Sequence, residues 1–141
     1  MSRVNTRVLL VEDSYGDVVL AQRALEIGDG GRFELTVAGT LGDGIECLAQ
    51  GFDAILLDIT LPDSVGPETV TRMRAAARDL PIVVLSGSEE AEVADRCLRA
   101  GADGYERKGQ FAPSELRHIV TRAIGRERSG IRTGGAPPAR G

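Results

Sequence analysis

The sequence is poor in four things: lysine, histidine, cysteine and long apolar runs. It has one lysine, against 16 arginines. It has one histidine and two cysteines. A membrane-spanning helix needs ~18 or more consecutive apolar residues, and no run in this chain approaches that. At the N-terminus two arginines precede only the short run Val8–Val11, too little for a signal sequence. A cytoplasmic protein without a membrane partner is expected. Cys47 lies near Ile45 and Leu48, and Cys97 beside Val93, Ala94 and Leu98. Their positions fit no metal or redox motif and read as small core residues on helices. His118 lies off the apolar stripe of the last helix and reads as a surface residue, not a phosphate carrier.

The lone lysine, Lys108, sits in the stretch GYERKG at residues 104–109. An arginine-rich chain can carry one lysine by chance. There is also a chemical reading. Arginine presents a rigid planar fork, lysine a compact point charge on a flexible stem. A single positive charge set against a small anion at the end of a strand favours lysine. The rest of the chain has to choose between these readings.

Charge is unevenly spread. The net charge is −4, but residues 128–141 contain Arg128, Arg132 and Arg140 and no acid, so residues 1–127 carry −7. An acidic body argues against nucleic acid as the main partner. The length, 141 residues, suggests one domain with an adequate core. Residues 128–141 (RSGIRTGGAPPARG) are rich in Gly, Pro and Arg and read as a disordered tail, leaving residues 1–127 as the domain.

Three runs, Val8–Val11, Ala54–Leu57 and Ile82–Leu85, have strand length and are apolar on both faces. That pattern belongs to central strands of a parallel sheet covered on both sides. Residues 33–38 alternate more and read as a strand nearer an edge, and residues 103–107 as a short, charged edge strand. Helical stripes lie between: Val18, Ala21 and Leu25; Val70, Met73 and Ala77; Val93, Ala94, Cys97 and Leu98; and Leu116, Ile119, Val120, Ala123 and Ile124. Residues 42–50 form a weaker helix. Ser14 with Asp17 and Thr40 with Asp43 have capping-box spacing. Pro67 and Pro113 suit first turns, Gly28 and Gly101 helix ends. Strand then helix, five times, gives an α/β domain with an open, doubly wound, five-stranded parallel sheet. A closed eight-stranded barrel takes ~250 residues and is excluded. The site of such a sheet lies at the carboxyl ends of its strands.

Each apolar run ends on a chemically capable residue. Glu12 and Asp13 follow the first, Asp58 the second, Ser86 the third and Lys108 the last strand. Each has an ordinary explanation. Glu12 and Asp13 could open a solvated loop, and Asp58 an ordinary turn. Ser86 could cap a helix with Glu89, although Ser88 is an equally good cap that would leave Ser86 free. Together, at equivalent ends of successive strands, they are hard to credit to chance. Clustered carboxylates repel unless a cation joins them. Oxygen ligands select a hard cation such as Mg²⁺, and a carboxylate can act as a nucleophile and form an aspartyl-phosphate. Phosphoryl transfer needs mainly positioning and charge neutralisation.

These motifs resemble a response-regulator receiver domain of two-component signalling. The matching segments are VLLVED at 8–13, LLDITLPDSVG at 56–66, VVLSG at 83–87 and GADGYERKG at 101–109. Asp13 to Asp58 is 45 residues, Asp58 to Ser86 is 28 and Ser86 to Lys108 is 22, spacings that also fit. The resemblance implies a flavodoxin-like (βα)5 fold with strand order 2-1-3-4-5. It implies that Asp58 accepts a phosphoryl group from a sensor histidine kinase or phosphotransfer protein. Glu12, Asp13, Asp58 and the backbone carbonyl of Thr60 would hold Mg²⁺. Ser86 and Lys108 would contact the phosphoryl group, and Tyr105 would be the aromatic switch residue. Output would fall on the face of the fourth helix, fifth strand and fifth helix, toward a downstream protein target or a homodimer. Chemistry of its own would be limited to weak self-phosphorylation and autodephosphorylation. No DNA-binding or enzymatic segment follows the fifth helix, which implies a stand-alone regulator or a truncated longer one. The stretch EDSYGDVVLAQRALE resembles stand-alone regulators that serve phytochrome-type or hybrid kinases.

Two departures stand out. The family often has Asp where this chain has Glu12. Its lysine is usually followed by a cis proline, whereas Gly109 follows here. A cis bond before a non-proline residue costs ~2.5–4 kcal/mol, so a trans bond or a differently shaped loop is expected. The competing readings are a phosphorylation-independent, receiver-like binding module and a flavodoxin-like cofactor protein. Against the latter, Glu12 and Asp13 would repel a flavin phosphate, whose site needs hydroxyls and bare backbone N–H groups. A phosphatase with an aspartate nucleophile would need a second general acid near Asp58 and a cap domain, and the sequence shows neither.

Overall fold

The structure, a computed structural model, describes residues 5–26 and 31–128, with side chains to residue 126. In chain order the first elements are β1 (Asn5–Val11), α1 (Tyr15–Glu26), β2 (Arg32–Ala38), α2 (Leu41–Cys47) and β3 (Ala54–Asp58). A small antiparallel pair follows, β4 (Thr60–Leu61) and β5 (Ser64–Val65), then α3 (Glu68–Ala76). The chain continues through β6 (Ile82–Ser86), α4 (Ala91–Ala100), β7 (Gly104–Arg107) and α5 (Leu116–Arg128). The five long strands form one parallel sheet in the order β2-β1-β3-β6-β7. Counting only these strands, the order is 2-1-3-4-5, as expected.

Alternation along each strand builds two cores. Val8 and Leu10 of β1 point to the layer of α1 and α5, where Ala24, Leu56, Leu85 and Val120 meet them. Leu9 and Val11 point to the layer of α2, α3 and α4, against Leu57, Met73, Val84 and Cys97. Both faces are covered, so every residue of β3 and β6 is buried. At ~25 cal/mol per Å² of apolar surface, burial on both faces makes these central strands a strong part of the drive to fold. β2 and β7, at the edges, are only partly buried.

Local signals mostly act as read. Thr40 caps α2, its Oγ accepting from the Asp43 N–H at 3.0 Å. The expected helix over 42–50 is α2 followed by a tighter turn, Leu48–Gln50. Gly101 ends α4 with φ +123°, a conformation that side-chain-bearing residues avoid. Pro113 opens a short 3₁₀ turn that leads into α5, whereas Pro67 stands just before α3 rather than in its first turn. Ser88 does not cap α4. That helix begins at Ala91 behind Glu90, which makes no side-chain cap, and the Ser88 Oγ accepts from the Glu90 N–H at 3.2 Å in the preceding loop. Cys97 is buried and Cys47 half-buried. Burial pushes the Cys97 thiol up to about 11. His118 is exposed. The helix end read at Gly28 and residues 129–141 of the expected tail lie outside the described residues. Among the described residues, no helix is long and apolar enough to cross a membrane.

Two arginines tie the framework together. Arg74 on α3 pairs with buried Asp103 at 2.7 Å and donates to the carbonyls of Ala77, Leu80 and Gly101. Asp103 also accepts from the Ile82 N–H at 2.9 Å. Arg117 on α5 donates to the carbonyls of Leu25 and Gly31, and its guanidinium lies 4.5 Å from the Phe33 ring centre.

Candidate functional site

Because all five strands are parallel, their carboxyl ends share one edge of the sheet. Asp58 ends β3 at the centre and Ser86 ends β6 beside it; both are buried. Glu12 follows β1, anchored by its N–H to the Ala38 carbonyl at 2.9 Å. Lys108 follows β7, and its N–H donates to the Ser86 carbonyl at 2.8 Å. The sheet ladder thus carries each functional residue to the same rim. Carboxylate oxygens of Glu12, Asp13 and Asp58 lie within 4.8 Å of one another.

The electrostatics are those of crowded acids sharing too little positive charge. Burial pushes the Asp58 carboxyl up to about 7, and the hydrogen bond that protonated Asp58 donates to Glu12, with the charge of Glu12, adds to the rise. Lys108 and the Thr60 N–H, which donates to Asp58 Oδ1 at 3.2 Å, only partly offset it. Burial works against the charge on Lys108. Hydrogen bonds to Asp17 and Glu12, with Asp58 nearby, more than offset this and hold its pKa above the ordinary value. Its Nζ lies 2.8 Å from Glu12 Oε1, 2.8 Å from Asp17 Oδ2 and 3.6 Å from Asp58 Oδ2. The other oxygen of Glu12 accepts from the Ser14 N–H at 3.1 Å.

The expected residues therefore come together, with three differences in detail. Lys108 is held by Glu12 and Asp17 more closely than by Asp58. Ser86 is not free, since its Oγ accepts from the Ser88 N–H at 3.0 Å. The Ser14–Asp17 capping box is only half formed: the Asp17 N–H reaches Ser14 Oγ at a long 3.4 Å, while the Asp17 carboxylate turns to Lys108. Asp17 is the residue that the sequence reading passed over. A second acid one helical turn beyond Asp13 was the available signal, and the capping motif offered a simpler use for it. Tyr105 is half-buried against the α4 side of the core, its hydroxyl 3.4 Å from the Ser88 carbonyl. Thr60 is exposed, next to Asp58 across one residue. Among the described residues no peptide bond is cis, and Gly109 takes φ +85° with open space where a Cβ would stand. Backbone conformation, not lack of room, calls for glycine after the lysine. A cavity of about 370 Å³ adjoins the site, walled by Leu20, Ala24, Leu85 and Phe111, with Asp17 and Lys108 also lining it.

The family model for the response regulator receiver domain matches residues 8–121, which covers all of these residues. The chain belongs to this family. The receiver domain is 34% identical over 125 residues to the swarming motility regulation protein RssB of Serratia marcescens, across 88% of this chain and 55% of that protein. It spans about half the length of the curated relatives it matches. Among solved structures it is similar to a CheY-like receiver domain protein from Methanospirillum hungatei JF-1, with TM-score 0.77 and 24% identity, over 90% of this chain and 99% of that one. It is also similar to the phosphorylated cyanobacterial phytochrome response regulator RcpA, with TM-score 0.70 and 25% identity, over 90% and 96% of the two chains. The receiver domain is thus a two-component signalling module with an acidic pocket, of a family that works as phosphoacceptors rather than as conventional enzymes.

Proposed function

We propose that Asp58 accepts a phosphoryl group from a phosphohistidine on a sensor kinase or phosphotransfer protein. The observation that carries this reading is the buried Asp58 carboxylate, crowded by Glu12 and Asp13 and faced by Lys108. In the transfer, an Asp58 oxygen forms the new P–O bond as the P–N bond breaks, and the imidazole nitrogen gains a proton. The donor set fits a hard cation, since three carboxylates converge within 4.8 Å and one is pushed up to about 7 by burial and its neighbour. Glu12, Asp13, Asp58 and the Thr60 carbonyl would hold Mg²⁺, which when bound neutralises charge on the phosphoryl group.

Lys108 pairs with one phosphoryl oxygen. The Ser86 hydroxyl donates to another, while its Oγ still accepts from the Ser88 N–H. Since Ser88 also carries the contact to Tyr105, a shift of Ser86 toward the phosphoryl group passes through Ser88 to the surface of α4, β7 and α5. There a downstream protein, or a second copy of the chain, is bound. The likeness to RcpA, a response regulator that is phosphorylated, supports phosphorylation of this domain. Self-phosphorylation and autodephosphorylation by the domain are slow, and the domain works in the cytoplasm.

The test is incubation with acetyl phosphate and Mg²⁺, followed by intact-mass measurement. Wild type gains one phosphoryl group and Asp58→Asn gains none. Equal labelling of the two, or none of wild type, sinks the proposal. Partner binding that is unchanged in Asp58→Ala with phosphodonor present would favour a phosphorylation-independent module instead.

A further inference from the structure

Lys108 is the cation expected to serve Asp58, yet it is held elsewhere. An ammonium has three donors. Two of them reach Glu12 and Asp17 at 2.8 Å, and Asp58 is left at 3.6 Å, beyond hydrogen-bond range. The two holders differ. Glu12 is buried, and its second oxygen is fixed by the Ser14 N–H. The Asp17 side chain is 38% exposed, on the first turn of α1. Water can replace the lysine at Asp17 at little cost, as at other exposed ion pairs. At Glu12 the loss would strand a buried charge.

We propose that Asp17 is a positioning residue that withholds the Lys108 ammonium from Asp58 in the unmodified protein, and releases it when negative charge builds on Asp58. A phosphoryl group brings up to about two negative charges, enough to outbid one half-solvated carboxylate. The flexible lysine stem lets the head group move while Glu12 keeps its hold. Withholding rests on the geometry alone; release rests on the phosphoacceptor reading above.

The single lysine makes the test direct. Protein labelled with ¹⁵N at lysine Nζ gives one ammonium signal, that of Lys108. Asp17→Asn is expected to shift it. Adding Asp58→Asn should then shift it more in the Asp17→Asn background than in wild type, because the freed ammonium now sits against Asp58. An equal response to Asp58→Asn in both backgrounds overturns the withholding role. Asp17→Ser, a second removal of the charge, must behave as Asp17→Asn does.

Beryllium trifluoride with Mg²⁺, a phosphoryl mimic, tests release. It should bind Asp17→Asn roughly two- to fivefold more tightly than wild type, the worth of one half-exposed ion pair. Lys108→Ala should erase that gain. A gain that survives Lys108→Ala, or no gain at all, overturns release. Failure of wild type to bind the mimic or to accept phosphate sinks the phosphoacceptor reading instead, and the ammonium signal still decides whether Asp17 withholds the lysine.

Discussion

The two edges of the sheet each bury charge, and they do it in opposite ways. At the amino ends of β6 and β7, Arg74 pairs with Asp103 at 2.7 Å, with the arginine's donors shared among neighbouring carbonyls and the aspartate also accepting from Ile82. At the carboxyl ends, Glu12, Asp17 and Asp58 gather around the single ammonium of Lys108, with Asp13 close to Glu12 and Asp58. In the first cluster the buried carboxylate has an arginine at 2.7 Å. The second is short of positive charge, which is why burial and Glu12 can push Asp58 up to about 7. A closely paired cluster fixes geometry; one crowded with acids suits a cation. Residue type follows the same division. The fork of Arg74 suits several fixed acceptors, and the point charge of Lys108 suits a partner that changes.

The largest effect should come from breaking the Arg74–Asp103 cluster. Arg74→Ala removes the arginine that pairs with buried Asp103 and should cost roughly 3–5 kcal/mol, read by urea unfolding. Arg74→Lys should recover little of this, because it cannot span the same carbonyls. A loss below about 1 kcal/mol would show that the two edges are not so different.

Next comes the acidic cluster. Asp58 keeps its proton to about 7 in the folded protein, whereas an unfolded aspartate releases it near pH 4. Between those values the folded Asp58 binds more protons, so its contribution to stability falls as pH rises from 4 to 7. Asp58→Asn should therefore stabilise the protein at pH 8 by roughly 2 kcal/mol or more, with the gain vanishing near pH 4. Thermal melts across that range check the sign; a gain independent of pH would refute the cause.

A smaller effect follows from adding the missing charge. Mg²⁺ at ten times its dissociation constant should stabilise wild type by about 1.4 kcal/mol. It should leave Asp58→Asn and the Arg74–Asp103 edge unmoved. The smallest change is Gly109→Ala, which places a side chain at φ +85° in open space. It should cost about 1 kcal/mol, visible in Tm.

Much of this was legible beforehand because the sheet is parallel. Runs apolar on both faces, such as Val8–Val11 and Ile82–Leu85, could only be central strands. Whatever followed them had to share one edge, and this is how Glu12, Asp58, Ser86 and Lys108 could be grouped without coordinates. Edge strands, caps and turns were less clear. Ser88 and Ser14 carry capping chemistry, but a hydroxyl beside several N–H groups does not say which it will take.

The sequence by itself determined the order of strands and helices, the two-faced core and the rim on which the carboxylates meet. Those depend on periodicity and chain direction, which are local. Only the tertiary structure decided that Arg74 finds Asp103 across 29 residues and that Lys108 finds Asp17 across 91. Such pairings depend on distances between separate elements, and a long charged side chain takes whichever partner the packed backbones bring within about 3 Å.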